Sequence, residues 1–285
     1  MTEVVMAAET DSAATESERF ALRRGQGLAG LILVGVIVLA GLFAGVLSRQ
    51  DPVTQITGAN LLGPTAEHWL GTDELNRDVL ARVLHGLRID LLIVFVAVPL
   101  AAVLGSAIGL LAGPHPVVDT VAQRVFDVVL AFPALILAIA LAAITGPGAH
   151  AVIIVIVAAE VPIFGRQIRT AILRVREQAF VEAAEVIGAG TWWTLRKHVL
   201  PHVLEPLGVQ LALSMSIAVA VDGAMSFIGL GVRPPQPSLG SVVAESVSNM
   251  DANPAMAVGP LVVVAGLTLG FLLIAQGLGR ARRIG

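Results

Sequence analysis

Two carboxylates, Glu160 and Asp222, stand inside apolar stretches of a chain of 285 residues that is 56% hydrophobic and 14% charged. A charge at the middle of a membrane-spanning helix costs ~2.5–3.5 kcal/mol on insertion scales, so each is expected to face other helices or water. Three chemistries suit the two residues: a proton or cation relay, the polar wall of a solute pathway, or an interfacial position near a span end. Covalent chemistry has little support, and no catalytic residue is assigned. The chain has no cysteine, which removes disulfides, thiolate metal sites and Cys nucleophiles. The six histidines are scattered. His198 and His202 stand four apart but flank Pro201, so no metal site is expected. Lys197 is the only lysine and has no glycine-rich loop around it, so a P-loop is excluded. No G-x-S-x-G or H-E-x-x-H motif occurs, which leaves an intramembrane hydrolase without its nucleophile elbow or zinc ligands.

The elements that must hold these residues are membrane helices. A soluble domain carries about 25% charged residues, and a globule of this size would still need a polar surface. A span needs ~20 mainly apolar residues, and six segments meet that test fully or nearly: Gly25–Leu47, Leu91–Gly113, Val128–Thr145, Ala149–Gly165, Leu207–Leu230 and Met256–Leu278. The expected fold class is an all-α polytopic membrane protein with six transmembrane helices. Residues 1–24 form an acidic tail with no signal-peptide apolar run and are expected to be disordered. Residues 25–47 form a retained first span, 48–90 an external segment, and 91–285 a core with five spans and a cytoplasmic loop over 174–206. The basic residues set the orientation. With the N-terminus inside, the cytoplasmic segments hold 13 of the 18 Arg and Lys residues, and Arg49, Arg77, Arg82, Arg88 and Arg233 lie outside. Both termini are therefore expected in the cytoplasm of a multi-pass membrane protein. The pairs Gly41/Gly45, Gly105/Gly109 and Gly266/Gly270 have the small-xxx-small spacing of close helix packing.

The loop over 174–206 interrupts the apolar chain with charges and two tryptophans. Phe180, Ala183, Ala184 and Ile187 fall on one helical face, with Gln178, Glu182 and Glu185 opposite. Gly188 suits the left-handed residue that ends a helix. Thr191 can cap a second helix, which is expected to run until Pro201 removes a backbone donor. An ordinary interfacial loop would share this pattern, but two short helices around a glycine elbow also make a shallow surface on which another protein could dock.

The sequence "EAA", three residues, Gly188, nine residues, then "HVLP" resembles the EAA signature of permease subunits in binding-protein-dependent ABC importers. His198 resembles the oligopeptide/dipeptide/nickel branch. The resemblance implies a type I importer fold in which this loop couples to an ATPase through Glu182, Ala183, Ala184, Gly188, His198, Leu200 and Pro201. Two further segments are similar to the second permease of that branch. "HWLGTDELNRDVLARVLHGLRIDL", His68 to Leu91, resembles an H-x-x-G-T-D-x-x-G-R-D segment, with Asn76 in place of the usual glycine. Asn best tolerates positive φ among non-glycine residues. Its Gly71, Thr72, Asp73, Arg77 and Asp78 would form a structured external entrance. Asp73 is placed to cap the following helix, and Asp73–Arg77 and Asp78–Arg82 have i,i+4 spacing. Exposed pairs of that kind contribute only ~0.3–0.5 kcal/mol each, and a capped amphipathic surface helix would account for the same spacing.

"SFIGLGVRPPQPSLGSVVAES", Ser226 to Ser246, resembles the S-F-L-G-L-G segment after the fifth span, with Leu239 where tryptophan is usual. Asp222, Ser226, Gly229, Gly231 and Glu160 are the pathway candidates. The glycines and prolines of this segment make a continuous helix unfavourable. The resemblance further implies dipeptide or oligopeptide import, with nickel chelate or another small solute as the alternative. A proton-coupled carrier using Glu160 and Asp222, or a scaffold without transport, would be a different class. The implied partners are a homologous permease in a heterodimer, two ATPase subunits or a fused ATPase, an extracytoplasmic peptide-binding protein and the lipid bilayer, with no nucleic acid. The chain itself would hold no cofactor, ATP and Mg being bound by the ATPase subunits.

Overall fold

A computed structural model of the chain describes residues 25–113, 115–176, 178 and 200–281. Among them, apolar runs become long helices joined by polar turns, and no β-strand forms beyond an isolated bridge between Thr72 and Asp78. In chain order the helices are α1 (Gly25–Leu42), α2 (Ala44–Leu47), α3 (Val79–Ala112), α4 (Pro116–Ala131), α5 (Ala134–Thr145), α6 (Ala149–Arg176), α7 (Leu200–Phe227), α8 (Leu239–Val247) and α9 (Ala255–Ala281). Five of them, α1, α3, α6, α7 and α9, are long and apolar enough to cross a membrane. Glu160 falls in α6 and Asp222 in α7, as expected.

The third expected span differs. Val128–Thr145 is not one helix, because α4 and α5 meet at a bend of 97°. Pro133 disfavours helical geometry at the residue before it, and Phe132 is extended at φ −80° and ψ 132°. At 1.5 Å per residue the 12 residues of α5 reach only about 18 Å, short of a ~30 Å hydrocarbon core. The second span differs in the other direction. Helix α3 begins at Val79 rather than Leu91, and its 34 residues extend about 51 Å. Helix α6 likewise continues past Gly165 to Arg176. Hydropathy marks the part of a helix that lipid can surround, and the hydrogen-bonded rod continues beyond it.

The bundle is built on close approach. The backbone of α6 at Val161 and Gly165 lies where side chains on Gly105 and Gly109 of α3 would stand. Gly270 of α9 meets Gly30 and Val34 of α1, and Gly266 meets Ile37. Gly41 packs against Leu87 and Leu91, but no atom approaches Gly45. The core runs through Val94, Ala97 and Val98 of α3, Val152, Ile156 and Phe164 of α6, Met215 and Val219 of α7 and Leu267 of α9. Among the described residues, the segments 48–78 and 231–254 meet at one end of this bundle, called here the loop end. Asn253 donates to the carbonyls of Leu62 and Leu70, both at 3.1 Å. The helical ends near Asp119 and Arg169, tied at 2.8 Å, lie at the opposite end of α6.

Candidate functional site

The loop-end motif is a turn built of side-chain and backbone bonds. Gly71 has φ +76°, and Leu62 and Asn253 fill the space a side chain would need. Thr72 donates to the Ala59 carbonyl and accepts from the Leu62 amide. Asn76 takes φ +62°, the conformation that lets asparagine stand in for glycine. Asp73 does not cap the long helix. It accepts from the Leu75 and Arg77 amides at 2.9 and 2.8 Å and so caps its own turn. The cap of α3 is Asp78, which accepts from the Ala81 amide at 2.7 Å. The four residues between Asp73 and Asp78 leave room for that turn before the helix starts.

The charges of this motif are buried, not exposed. Asp73 is 1% exposed, Arg77 5% and Arg82 2%. Arg77 Nε lies 2.7 Å from Asp73 Oδ2, as the spacing predicts. The expected Asp78–Arg82 pair does not form. Asp78 instead meets His68 Nδ1 at 2.8 Å, and Arg82 reaches Glu245 of α8 at 2.8 Å and Asp73 at 3.5 Å. Arg77 also reaches Glu245, at 3.0 Å. Two guanidiniums and two carboxylates thus form one closed cluster from chain segments over 160 residues apart. Removing one member of such a buried set costs ~3–5 kcal/mol, because it strands the others. Glu245, His68 and Asn253 were absent from the expected entrance. No local spacing marks Glu245 or Asn253, whereas His68 opens the motif itself.

The pathway candidates divide into two places. Asp222 is 1% exposed and its Oδ1 lies 3.4 Å from the Ser226 hydroxyl. Gly231 folds back against Ser226, so these three come together. Gly229 takes φ +80° with no atom near its absent side chain, and it ends α7 beyond Phe227 rather than at Leu230. The first turn of α8 completes this site. Gly240 packs on the Gly223 carbonyl and Ser226, Ser238 packs on Gly86, and the Leu239 amide donates to Asp90 Oδ2 at 2.8 Å. Asp90, which the sequence reading did not select, carries the same signal as Glu160, a carboxylate in an apolar helix. Asp90 Oδ1 and Asp222 Oδ2 are both buried without a hydrogen-bond partner.

Glu160 lies elsewhere. It is 3% exposed and accepts from the Ser214 hydroxyl. Ser214 and Asp222 are eight residues apart on α7, about 12 Å along the helix, so the two carboxylates do not touch in a relay. Glu182, Ala183, Ala184, Gly188 and His198 lie outside the described residues. Leu200 and Pro201 are helical within α7, and the second short helix expected from Thr191 lies outside the described residues.

A family model described as "Binding-protein-dependent transport system inner membrane component" matches residues 105–283. The dipeptide transport system permease protein DppC of Alkalihalophilus pseudofirmus is 35% identical over 252 residues, 88% of this chain and 83% of that protein. The di/tripeptide transport system permease protein DppC of Pseudomonas aeruginosa is 38% identical, covering 80% of this chain and 78% of that protein. The glutathione transport system permease protein GsiD of Pectobacterium atrosepticum is 34% identical, covering 76% and 72%. Among solved structures, an inward-facing form of the MetNI methionine ABC transporter matches with a TM-score of 0.56 over 71% of this chain and 96% of that chain. Its 19% identity carries the fold alone, and that fold is the all-α importer bundle expected above.

Proposed function

The chain belongs to the family of binding-protein-dependent transport system inner membrane components, and from that premise we propose that it is the second permease of an ABC importer for dipeptides or oligopeptides. The observation that carries this reading is the similarity to dipeptide permeases along most of the chain. The ion cluster supports it, because it gives the loop end the fixed shape that an entrance for a binding protein requires. In this reading the loop end faces outward towards a peptide-binding protein, and both termini are cytoplasmic. The acidic tail, residues 1–24, and the coupling loop, residues 174–206, lie on the cytoplasmic side of the inner membrane. A homologous permease lines the other half of the pathway. Two ATPase subunits, or one fused chain, bind ATP and Mg and dock on Glu182, Ala183, Ala184, Gly188, His198, Leu200 and Pro201. The chain does no covalent chemistry. It turns ATPase closure into alternating access by movement of its helices.

Gly188→Val tests the reading. In this reading Gly188 is the left-handed elbow between two short helices, where a β-branched residue is strongly disfavoured, so the substitution should displace the elbow while hydropathy still inserts the spans. Expected is loss of peptide uptake and of ATP hydrolysis stimulated by loaded binding protein, at matched membrane abundance. Uptake, stimulated hydrolysis and ATPase recovery all at wild-type levels would remove the loop from coupling. Peptide uptake that survives deletion of the chain would remove the function itself.

A further inference from the structure

Glu160 lines a cavity of about 200 Å³ with Phe132, Ala134, Ile163, Ile217 and Val221. The break between α4 and α5 forms one wall, since Leu130, Phe132 and Ala134 come from its two sides. A second cavity of about 420 Å³ adjoins it through the shared Ala134, Ile217 and Val221. Ser216 and Thr268 also line the second space, but the Ser216 hydroxyl already donates to the Thr268 carbonyl. The two spaces form an apolar trough with one ionisable group.

That group is held in place by hydrogen bonds and not by a cation. Gln210 Nε2 donates to Ser214 Oγ at 3.2 Å, and Ser214 in turn donates to Glu160 Oε2. Both donors are uncharged. Among the described residues, none of the ion pairs includes Glu160. A carboxylate fixed at mid-helix depth beside an apolar space gains strongly from a cation that enters it, because charges attract far more in low dielectric than in water. The α4–α5 break adds to the case, because interrupted backbone within a membrane protein is tolerated where it is buried or lines a cavity.

We propose that this trough is the intramembrane site for the peptide in transit, and that Glu160 receives its protonated α-amino group. The proposal rests on the peptide reading above. Every unblocked peptide carries that ammonium beside its first side chain. The apolar wall accepts the side chain by burial, which discriminates weakly between sequences. Charge therefore sets the orientation while the trough tolerates variety.

The cysteine-free sequence allows a direct test. Ile163→Cys, one turn beyond Glu160 on α6, is placed in the assembled transporter in inside-out membrane vesicles. The vesicles are treated with a trimethylammonium-bearing or a sulfonate-bearing methanethiosulfonate, and modification of this chain is read by mass. The cationic reagent is expected to react roughly tenfold faster, as focusing by a buried charge implies. Adding Glu160→Gln should remove that preference. Dialanine should slow the labelling and N-acetyl-dialanine should not, and this difference should vanish with Glu160→Gln. Ala159→Cys, which lines the same cavity, repeats the test should Ile163→Cys fail to assemble. Equal rates for the two reagents, no reaction with either, or equal protection by both peptides would overturn the proposal. These outcomes are separable from failure of the peptide reading, which would appear as normal peptide uptake in cells lacking the chain.

Discussion

The loop-end cluster and the seam between α3, α7 and α8 each hold two carboxylates, with only Glu245 of the four partly exposed, yet they treat charge in opposite ways. At the loop end, Asp73 and Glu245 are matched in charge by Arg77 and Arg82, although Arg82 Nε and Nη1 are buried without a hydrogen-bond partner. In the seam, Asp90 and Asp222 meet at the start of α8 with one oxygen each unpartnered, and among the described residues neither forms an ion pair. The first arrangement joins chain segments that hydropathy leaves independent, so its charges define which loop packs on which helix. The seam achieves the same joining by backbone contact, through Gly86, Gly223 and Gly240. Of its carboxylates, Asp90 adds to that joining through the Leu239 amide, whereas the Asp222 bond to Ser226 stays within α7.

The contrast is most exposed to test at Arg82. Arg82→Met keeps an apolar stem and removes the guanidinium from Glu245 and Asp73. Stranding those carboxylates should cost ~3–5 kcal/mol, read as a large fall in melting temperature of the purified chain and in membrane abundance. Wild-type melting would show that Arg77 alone holds the cluster. Asp222→Asn should behave oppositely. It removes charge without changing shape, and its amide can donate where an unpartnered oxygen now sits. Stability should stay within ~1 kcal/mol of wild type, or rise. A fall as large as that of Arg82→Met would reveal a favourable partner for the Asp222 charge and erase the distinction between the regions. The smallest effect belongs to Arg124→Ala. Its side chain is 79% exposed and 3.4 Å from Asp127, so the expected loss is below ~0.5 kcal/mol. A loss approaching that of Arg82→Met would mean that pairing, rather than burial, sets the scale.

Where the sequence was legible, the deciding interaction was local. The apolar runs located the long helices to within a few turns, and Asn76 was readable as a positive-φ residue because a turn is settled within four positions. Asp73 and Arg77 are four residues apart and do pair. Arg82 has the same spacing from Asp78 but a better partner on α8, which no i,i+4 rule can see. Likewise the apolar run Val128–Thr145 conceals its own break, since hydropathy is indifferent to direction. Pro133 was the available signal, and the residue before a proline is where a helix most readily turns aside. In the seam, Asp90 was as visible as Glu160. The missing weight came from treating residues 48–90 as one external segment, which placed a helical carboxylate outside the bundle.

Helix α3 has a mechanical consequence of its own. It carries Arg82 of the ion cluster near one end and Gly105 and Gly109, seated on α6, towards the other. Pro99 lies inside it, and the hydrogen bond a proline cannot donate makes that point the softest of the rod. The arms on either side are unequal: Val79 to Val98 is about 30 Å long and Leu100 to Ala112 about 20 Å. Any swing about Pro99 therefore moves the loop end about one and a half times as far as the end gripped by α6. The helix thus has the proportions of a lever whose long arm lies on the side of the salt bridges.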